Sequence, residues 1–143
     1  NPSDMPPTAD HQMVEALHGA QLLYVEDDDE LRALFIHALS AYGIQVNACA
    51  NADEVDDYVQ QHPNAAIDVL LTDYRLPDGQ TGIAVAQQVR RGLMRHVPTI
   101  IITGDTQIHS DDALNNLHDV RILQKPVQVK ELVEIVHGYM KRD

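Results

Sequence analysis

Five short apolar runs, separated by longer amphipathic stretches, constrain the fold of this chain more than any other feature. They are Leu22 to Val25, Ile44 to Ala50, Ile67 to Leu71, Thr99 to Ile102 and Val120 to Leu123. Runs this short and nearly continuous suit strands covered on both faces, because a strand with one wet face alternates apolar and polar residues. The second run is more mixed, as an edge strand would be. Between the runs the apolar spacing becomes helical. Leu31, Leu34, Phe35, Ala38 and Leu39 mark one helix, stopped by Gly43; Val55, Tyr58 and Val59 mark another, ended before Pro63. Ile83 to Val89 form a third, a short polar one is expected near Asp112 to Leu117, and Leu132, Val133, Val136, Tyr139 and Met140 form the last. Strands alternating with helices predict an α/β fold, a doubly wound five-stranded parallel sheet in order 2-1-3-4-5. Residues 1–20 hold three of the seven prolines and read as a linker or tail with one helical turn, and 21–143 as the folded domain. With Asn rather than Met at position 1, the expectation is a segment of a longer polypeptide.

Sheets of this kind bind ligands beyond the carboxyl ends of their strands, so the residues after each run carry the functional expectation. The first run is followed by Glu26-Asp27-Asp28-Asp29-Glu30, the third by Asp73, the fourth by Thr103-Gly104-Asp105 and the fifth by Lys125-Pro126. Carboxylates gathered in one crevice repel unless a cation joins them, and hard oxygen ligands with room for water suit Mg²⁺. Such a set is equipped for phosphoryl transfer onto an aspartate, where charge neutralisation and in-line positioning do most of the catalysis. Asp73 is the candidate nucleophile, forming an acyl phosphate. Glu26 and Asp27 are the candidate metal ligands, Thr103 a donor to one phosphoryl oxygen and Lys125 the partner of another. Gly104 leaves a path for the donor. Asp28, Asp29 and Glu30 read as a solvated acidic helix start.

Composition narrows the alternatives. The 143 residues carry 10 Lys and Arg against 22 Asp and Glu, a formal charge of −12, which argues against nucleic-acid binding and against a basic membrane-surface helix. No apolar run reaches the roughly 20 residues that span a bilayer, so no direct membrane contact is expected and the domain is expected to be cytoplasmic, whether or not its parent protein is membrane-anchored. Cys49 is the single cysteine; it excludes an intrachain disulfide and reads as a small buried hydrophobe. The eight histidines read as surface or linker residues, and His18 lacks the surroundings of a phosphorylatable histidine.

Taken in order, Glu26-Asp27 after an apolar strand, Asp73 followed by Leu76-Pro77 and a nearby Gly, Thr103 closing a strand and Lys125-Pro126 resemble the receiver domains of two-component response regulators. The resemblance covers about residues 21–142. It implies a flavodoxin-like receiver fold, phosphorylation of Asp73 from a phosphohistidine, a requirement for Mg²⁺ and a further metal ligand in the backbone carbonyl of Arg75. It also implies a cis peptide bond before Pro126. The implied partners are the phosphohistidine domain of a histidine kinase or a histidine phosphotransfer protein, with a weak homodimer as the self-association allowed. The implied activity is Mg²⁺-dependent self-phosphorylation and dephosphorylation only, not that of a separate enzyme.

Two departures from the family pattern bear on function. Ile122 stands where receivers often carry Tyr or Phe, three residues before the strand-end lysine, so the usual Thr–aromatic coupling is expected to be replaced by a weak response or by output through residues 104–119. Arg75 and Asp105, each two residues beyond a site residue, flank the crevice and are expected to meet across it and slow dephosphorylation. The stretches TDYRLPDGQTG, PTIIITGDT and ILQKPV look most like receivers at the C-terminal end of hybrid sensor histidine kinases. Alternatives are a free-standing receiver or one from a DNA-binding regulator. An aspartyl phosphatase would need a second Asp where Arg75 stands. A non-phosphorylated interaction module would have no use for the intact acidic pair, Asp73, Thr103 and Lys125.

Overall fold

The computed structural model describes residues 11–141. Helix α1 (His11–Leu17) precedes β1 (Gln21–Val25), α2 (Asp29–Ser40), β2 (Gln45–Cys49), α3 (Ala52–Gln61), β3 (Val69–Asp73), α4 (Gly82–Leu93), β4 (Thr99–Thr103), β5 (Val120–Gln124) and α5 (Val129–Met140). The strands form one parallel sheet in the order β2-β1-β3-β4-β5, as the alternating pattern predicts.

Side-chain alternation divides the apolar runs between the two faces of the sheet. Leu22 and Tyr24 of β1, Val69 and Leu71 of β3 and Ile100 and Ile102 of β4 pack with Phe35 and Leu39 of α2 and with Leu132, Val133 and Val136 of α5. Leu23, Val25 and Leu70 face the other way, onto Val55 and Val59 of α3 and Val85, Ala86, Val89 and Leu93 of α4. β3 and β4 are buried throughout, which is why their runs show no polar alternation. β2, at the edge, is exposed at Gln45 and Ala48.

The helices start where their caps dictate. Asp28 accepts from the Leu31 N–H at α2, Asn51 from Glu54 at α3 and Thr81 from Ala84 at α4. Gly43, after α2, takes a φ of 78°, a left-handed value that glycine adopts without strain.

Three expectations are corrected. The segment read as linker is helical over His11–Leu17, and Leu17 is fully buried in the core shared by α2 and α5; positions 1–10 lie outside the described residues. The short helix expected near Asp112 to Leu117 is a 3-10 turn, Asp112–Asn116, rather than an α-helix, and a second 3-10 turn, Thr106–Ser110, precedes it between β4 and β5. Asp111 accounts for the break: with its backbone extended at φ −80° and ψ 113°, it ends the first turn, and its carboxylate caps the second by accepting the Ala113 N–H, as that of Asp105 caps the first through the Gln107 N–H. Finally, Asp73 is the last residue of β3 rather than the first beyond it, while Thr103 closes β4 as expected.

Candidate functional site: an acidic crevice at the strand ends

Parallel strands bring their carboxyl ends to one edge of the sheet, and the register there fixes the site. Asp73 of β3 lies opposite Ile102 of β4, beside Thr103, which in turn lies opposite Gln124 of β5. The Lys125 N–H donates to the Thr103 carbonyl at 3.0 Å, tying the fifth strand end to the fourth. On the other side the Glu26 N–H donates to the Cys49 carbonyl at 3.0 Å, extending β1 beyond Val25.

Glu26 is buried, with 3% of its surface exposed. Its Oε2 accepts the Asp28 N–H at 3.0 Å, and its carbonyl accepts Arg32 Nη1 at 2.8 Å. Asp73 is 7% exposed, whereas Asp27 is exposed. One carboxylate oxygen from each of Glu26, Asp27 and Asp73 falls within 4.8 Å of the others. Lys125 Nζ lies 3.3 Å from Asp73 Oδ1 and 3.5 Å from Oδ2, the one cation pointed into this cluster among the described ion pairs.

Burial raises the proton affinity of both buried acids. Glu26 is pushed up to about 7 by desolvation, helped by the Asp73 charge and opposed by the Asp28 N–H and Lys125. Asp73 is also raised by desolvation, against the pull of Lys125. Two acids that hold protons this readily mark a site short of positive charge. The three hard oxygen donors, one at the solvent edge with room for water, fit Mg²⁺.

Thr103 is buried, and its hydroxyl is occupied by its own turn. It accepts the Asp105 N–H at 2.9 Å and donates to the Asp105 carbonyl at 3.3 Å. At Gly104 an added Cβ would meet open space, so the approach over this turn is clear. The peptide bond between Lys125 and Pro126 is cis. Arg75 and Asp105 meet as an ion pair: Arg75 Nε lies 3.0 Å from Asp105 Oδ2, with a closer contact from Nη2. Ile122 is half-buried beside Tyr74, Ile83, Ile101 and Ile108. Cys49 is buried and its thiol is pushed up to about 11 by desolvation, in keeping with a packing role.

The backbone around Arg75 is held from both sides. The Gly82 N–H donates to the Tyr74 carbonyl at 2.7 Å and the Leu76 N–H to the Gln80 carbonyl at 3.0 Å, making a bridge between Arg75 and Thr81. These two bonds leave the carbonyl of Arg75 itself out of the bridge. Sequence reasoning missed two residues here. Gly82 allows α4 to start against β3, because a Cβ there would run into the Asp73 carbonyl oxygen; the signal was the second glycine of DGQTG. Tyr74 buries its ring next to Asp73 and donates its hydroxyl to Asp111 Oδ2 at 2.9 Å, a link across 37 positions that no local pattern announces.

Beside the acids, on the α2 side, lies a cleft of about 480 Å³ with largely apolar walls, Leu31, Leu34, Phe35 and Val127 among them. Leu34 is 62% exposed at its rim.

Comparison with known proteins agrees with this geometry. The family model for the response regulator receiver domain matches residues 22–137, and the chain belongs to that family. It is a receiver of the two-component signalling type. Its curated relatives include the peroxide stress-activated histidine kinase mak3 of Schizosaccharomyces pombe, 22% identical over 138 residues that make up 94% of this chain and 6% of that protein. Nodulation protein W of Bradyrhizobium diazoefficiens is 30% identical over 129 residues, 90% of this chain and 55% of that protein. The chain thus spans about half the length or less of these relatives. Among solved structures, a response regulator receiver protein from Sinorhizobium medicae superimposes with a TM-score of 0.72 at 25% identity, covering 85% of this chain and 94% of the other. The receiver domain of the hybrid histidine kinase CckA gives 0.69 at 26% identity, covering 85% and 99%. Receiver domains bind Mg²⁺ and work with histidine kinases and phosphotransfer proteins. No helix among the described residues is long and apolar enough to cross a membrane.

Proposed function

We propose that this domain accepts a phosphoryl group from a phosphohistidine onto Asp73 and acts as a switch or relay in a phosphorelay. The observation that carries the reading is the arrangement around Asp73: a buried carboxylate facing Lys125 Nζ at 3.3 Å, with carboxylate oxygens of Glu26 and Asp27 within 4.8 Å. In the transfer an Asp73 carboxylate oxygen bonds to phosphorus as the phosphorus–nitrogen bond breaks, and the imidazole leaves with that electron pair. Lys125 moves from the carboxylate to a phosphoryl oxygen, and Thr103 turns its hydroxyl from Asp105 to another. Glu26, Asp27, Asp73 and the Arg75 carbonyl would hold Mg²⁺, which when bound neutralises charge on the phosphoryl oxygens.

Arg75 and Asp105 close the outer side of the crevice and slow the hydrolytic water, so the acyl phosphate persists. Self-phosphorylation from small donors and slow dephosphorylation are then the domain's own chemistry. The apolar cleft with Leu34 at its rim gives a phosphohistidine-bearing protein a surface to dock on. The folded domain takes in α1, whose Leu17 packs in its core, and its parent is a hybrid histidine kinase, a context supported by the likeness to the kinase mak3 and to the CckA receiver. Phosphorylation with acetyl phosphate and Mg²⁺, with Asp73→Asn as control, tests the reading; incorporation that survives this substitution overturns it.

A further inference from the structure

The connection from β4 to β5 is tied to the two residues that follow Asp73 by bonds that no helix in that connection would supply. Tyr74 is a fixed post. Its N–H donates to the Ile102 carbonyl at 2.9 Å, its carbonyl accepts the Gly82 N–H at 2.7 Å, and its ring is buried with Ile83, Ile101 and Ile108. From that post the hydroxyl reaches Asp111 Oδ2 at 2.9 Å, between the two 3-10 turns, while Asp111 Oδ1 accepts the Ala113 N–H at 3.0 Å and starts the second turn. Arg75 holds the near end through Asp105, whose other oxygen accepts the Gln107 N–H at 2.8 Å and starts the first turn. Asp105 is also the residue that occupies the Thr103 hydroxyl.

We propose that the Tyr74–Asp111 hydrogen bond is a latch that holds residues 106–116 in the resting arrangement and opposes loading of Asp73. The inference rests on the reading of Asp73 as phosphoacceptor. The Thr103 hydroxyl has one proton, now directed to the Asp105 carbonyl, so donating it to a phosphoryl oxygen ends that bond and loosens the turn that begins the segment. The near end then shifts while Tyr74, pinned by its own backbone, keeps hold of Asp111. A bond that favours the resting arrangement must weaken binding of whatever favours the other, by reciprocity.

The test compares wild type with Tyr74→Phe, which removes the hydroxyl and keeps the ring, by beryllofluoride titration with Mg²⁺ and by amide hydrogen exchange. Tyr74→Phe is expected to bind beryllofluoride about two- to tenfold more tightly, the range one hydrogen bond supports. Its amides at 106–116 are expected to exchange without beryllofluoride as fast as those of loaded wild type. Asp111→Ser keeps a cap for Ala113 but is too short to reach Tyr74, and is expected to tighten binding likewise. A bond that only stabilises the fold would leave the affinity unchanged or weaken it, and that result overturns the latch. So does a wild-type segment whose exchange stays constant while the Asp73 resonances report loading. Failure of Asp73 itself to load in wild type overturns the phosphoacceptor reading, and the latch with it.

Discussion

Replacing Glu26 by Gln tests the electrostatics of the crevice with one nearly isosteric change. Glu26 is 3% exposed, and its proton affinity is raised from the usual 4.5 to about 7 by desolvation, with Asp73 adding to it. Between those values the folded domain binds more protons than the unfolded chain, so this group makes stability fall as pH rises from about 4.5 to about 7. At roughly 1.4 kcal/mol per pH unit, the loss accumulated above the window is at most about 3.5 kcal/mol. The amide of the Glu26→Gln variant stays neutral throughout, and its carbonyl oxygen can still accept the Asp28 N–H. Urea unfolding of both proteins without Mg²⁺, at about pH 5 and about pH 8, reads the difference. The variant is expected to gain on wild type as pH rises, by about 1–3 kcal/mol. Parallel stability curves for the two proteins would refute the argument that burial, rather than solvent, sets the state of Glu26.

Other outcomes follow from the same geometry. Arg75→Ala, opening the ion pair with Asp105, is expected to shorten the lifetime of phosphorylated Asp73 a few-fold in a pulse-chase of label; an unchanged lifetime removes the gate. Leu34→Glu is expected to slow transfer from a phosphohistidine protein by about tenfold and to leave labelling by acetyl phosphate untouched, since the small donor needs no docking surface. Gly82→Ala is expected to cost about 1–3 kcal/mol in thermal or urea unfolding, because its Cβ forces α4 away from the Asp73 carbonyl. Lys125→Ala is expected to retain Mg²⁺ affinity, measured by titration, while losing most phosphoryl acceptance.

The sheet was legible because its strands are short and almost wholly apolar: Leu22 to Val25 and Thr99 to Ile102 have no other stable use in a chain that alternates with amphipathic helices. The gathering of the five candidate site residues was legible for a related reason, since a parallel sheet sends all its strand ends to one edge. The approach of Arg75 to Asp105 was also readable, from two positions equally distant from Asp73 and Thr103. What escaped was of two kinds. Leu17 lies behind a proline-rich start and closes a helix of only seven residues, too short for its period to stand out, although its burial is complete. The segment near Asp112 to Leu117 reads as a short polar helix, but the extended backbone of Asp111 splits the connection into two 3-10 turns, each begun by an aspartate cap, and no local pattern announces that break. Tyr74 and Gly82 act through contacts across space, and neither spacing nor composition records those.

The central claim is that Asp73 receives the phosphoryl group. Its most direct test is mass spectrometry of the intact domain, and of its peptides, after incubation with acetyl phosphate and Mg²⁺. One phosphoryl group, on the peptide containing Asp73, labile to hydroxylamine and absent from Asp73→Asn or when Mg²⁺ is chelated, is the expected result. A wild-type protein that takes up no phosphoryl group, or takes it up equally after Asp73→Asn, would contradict the account.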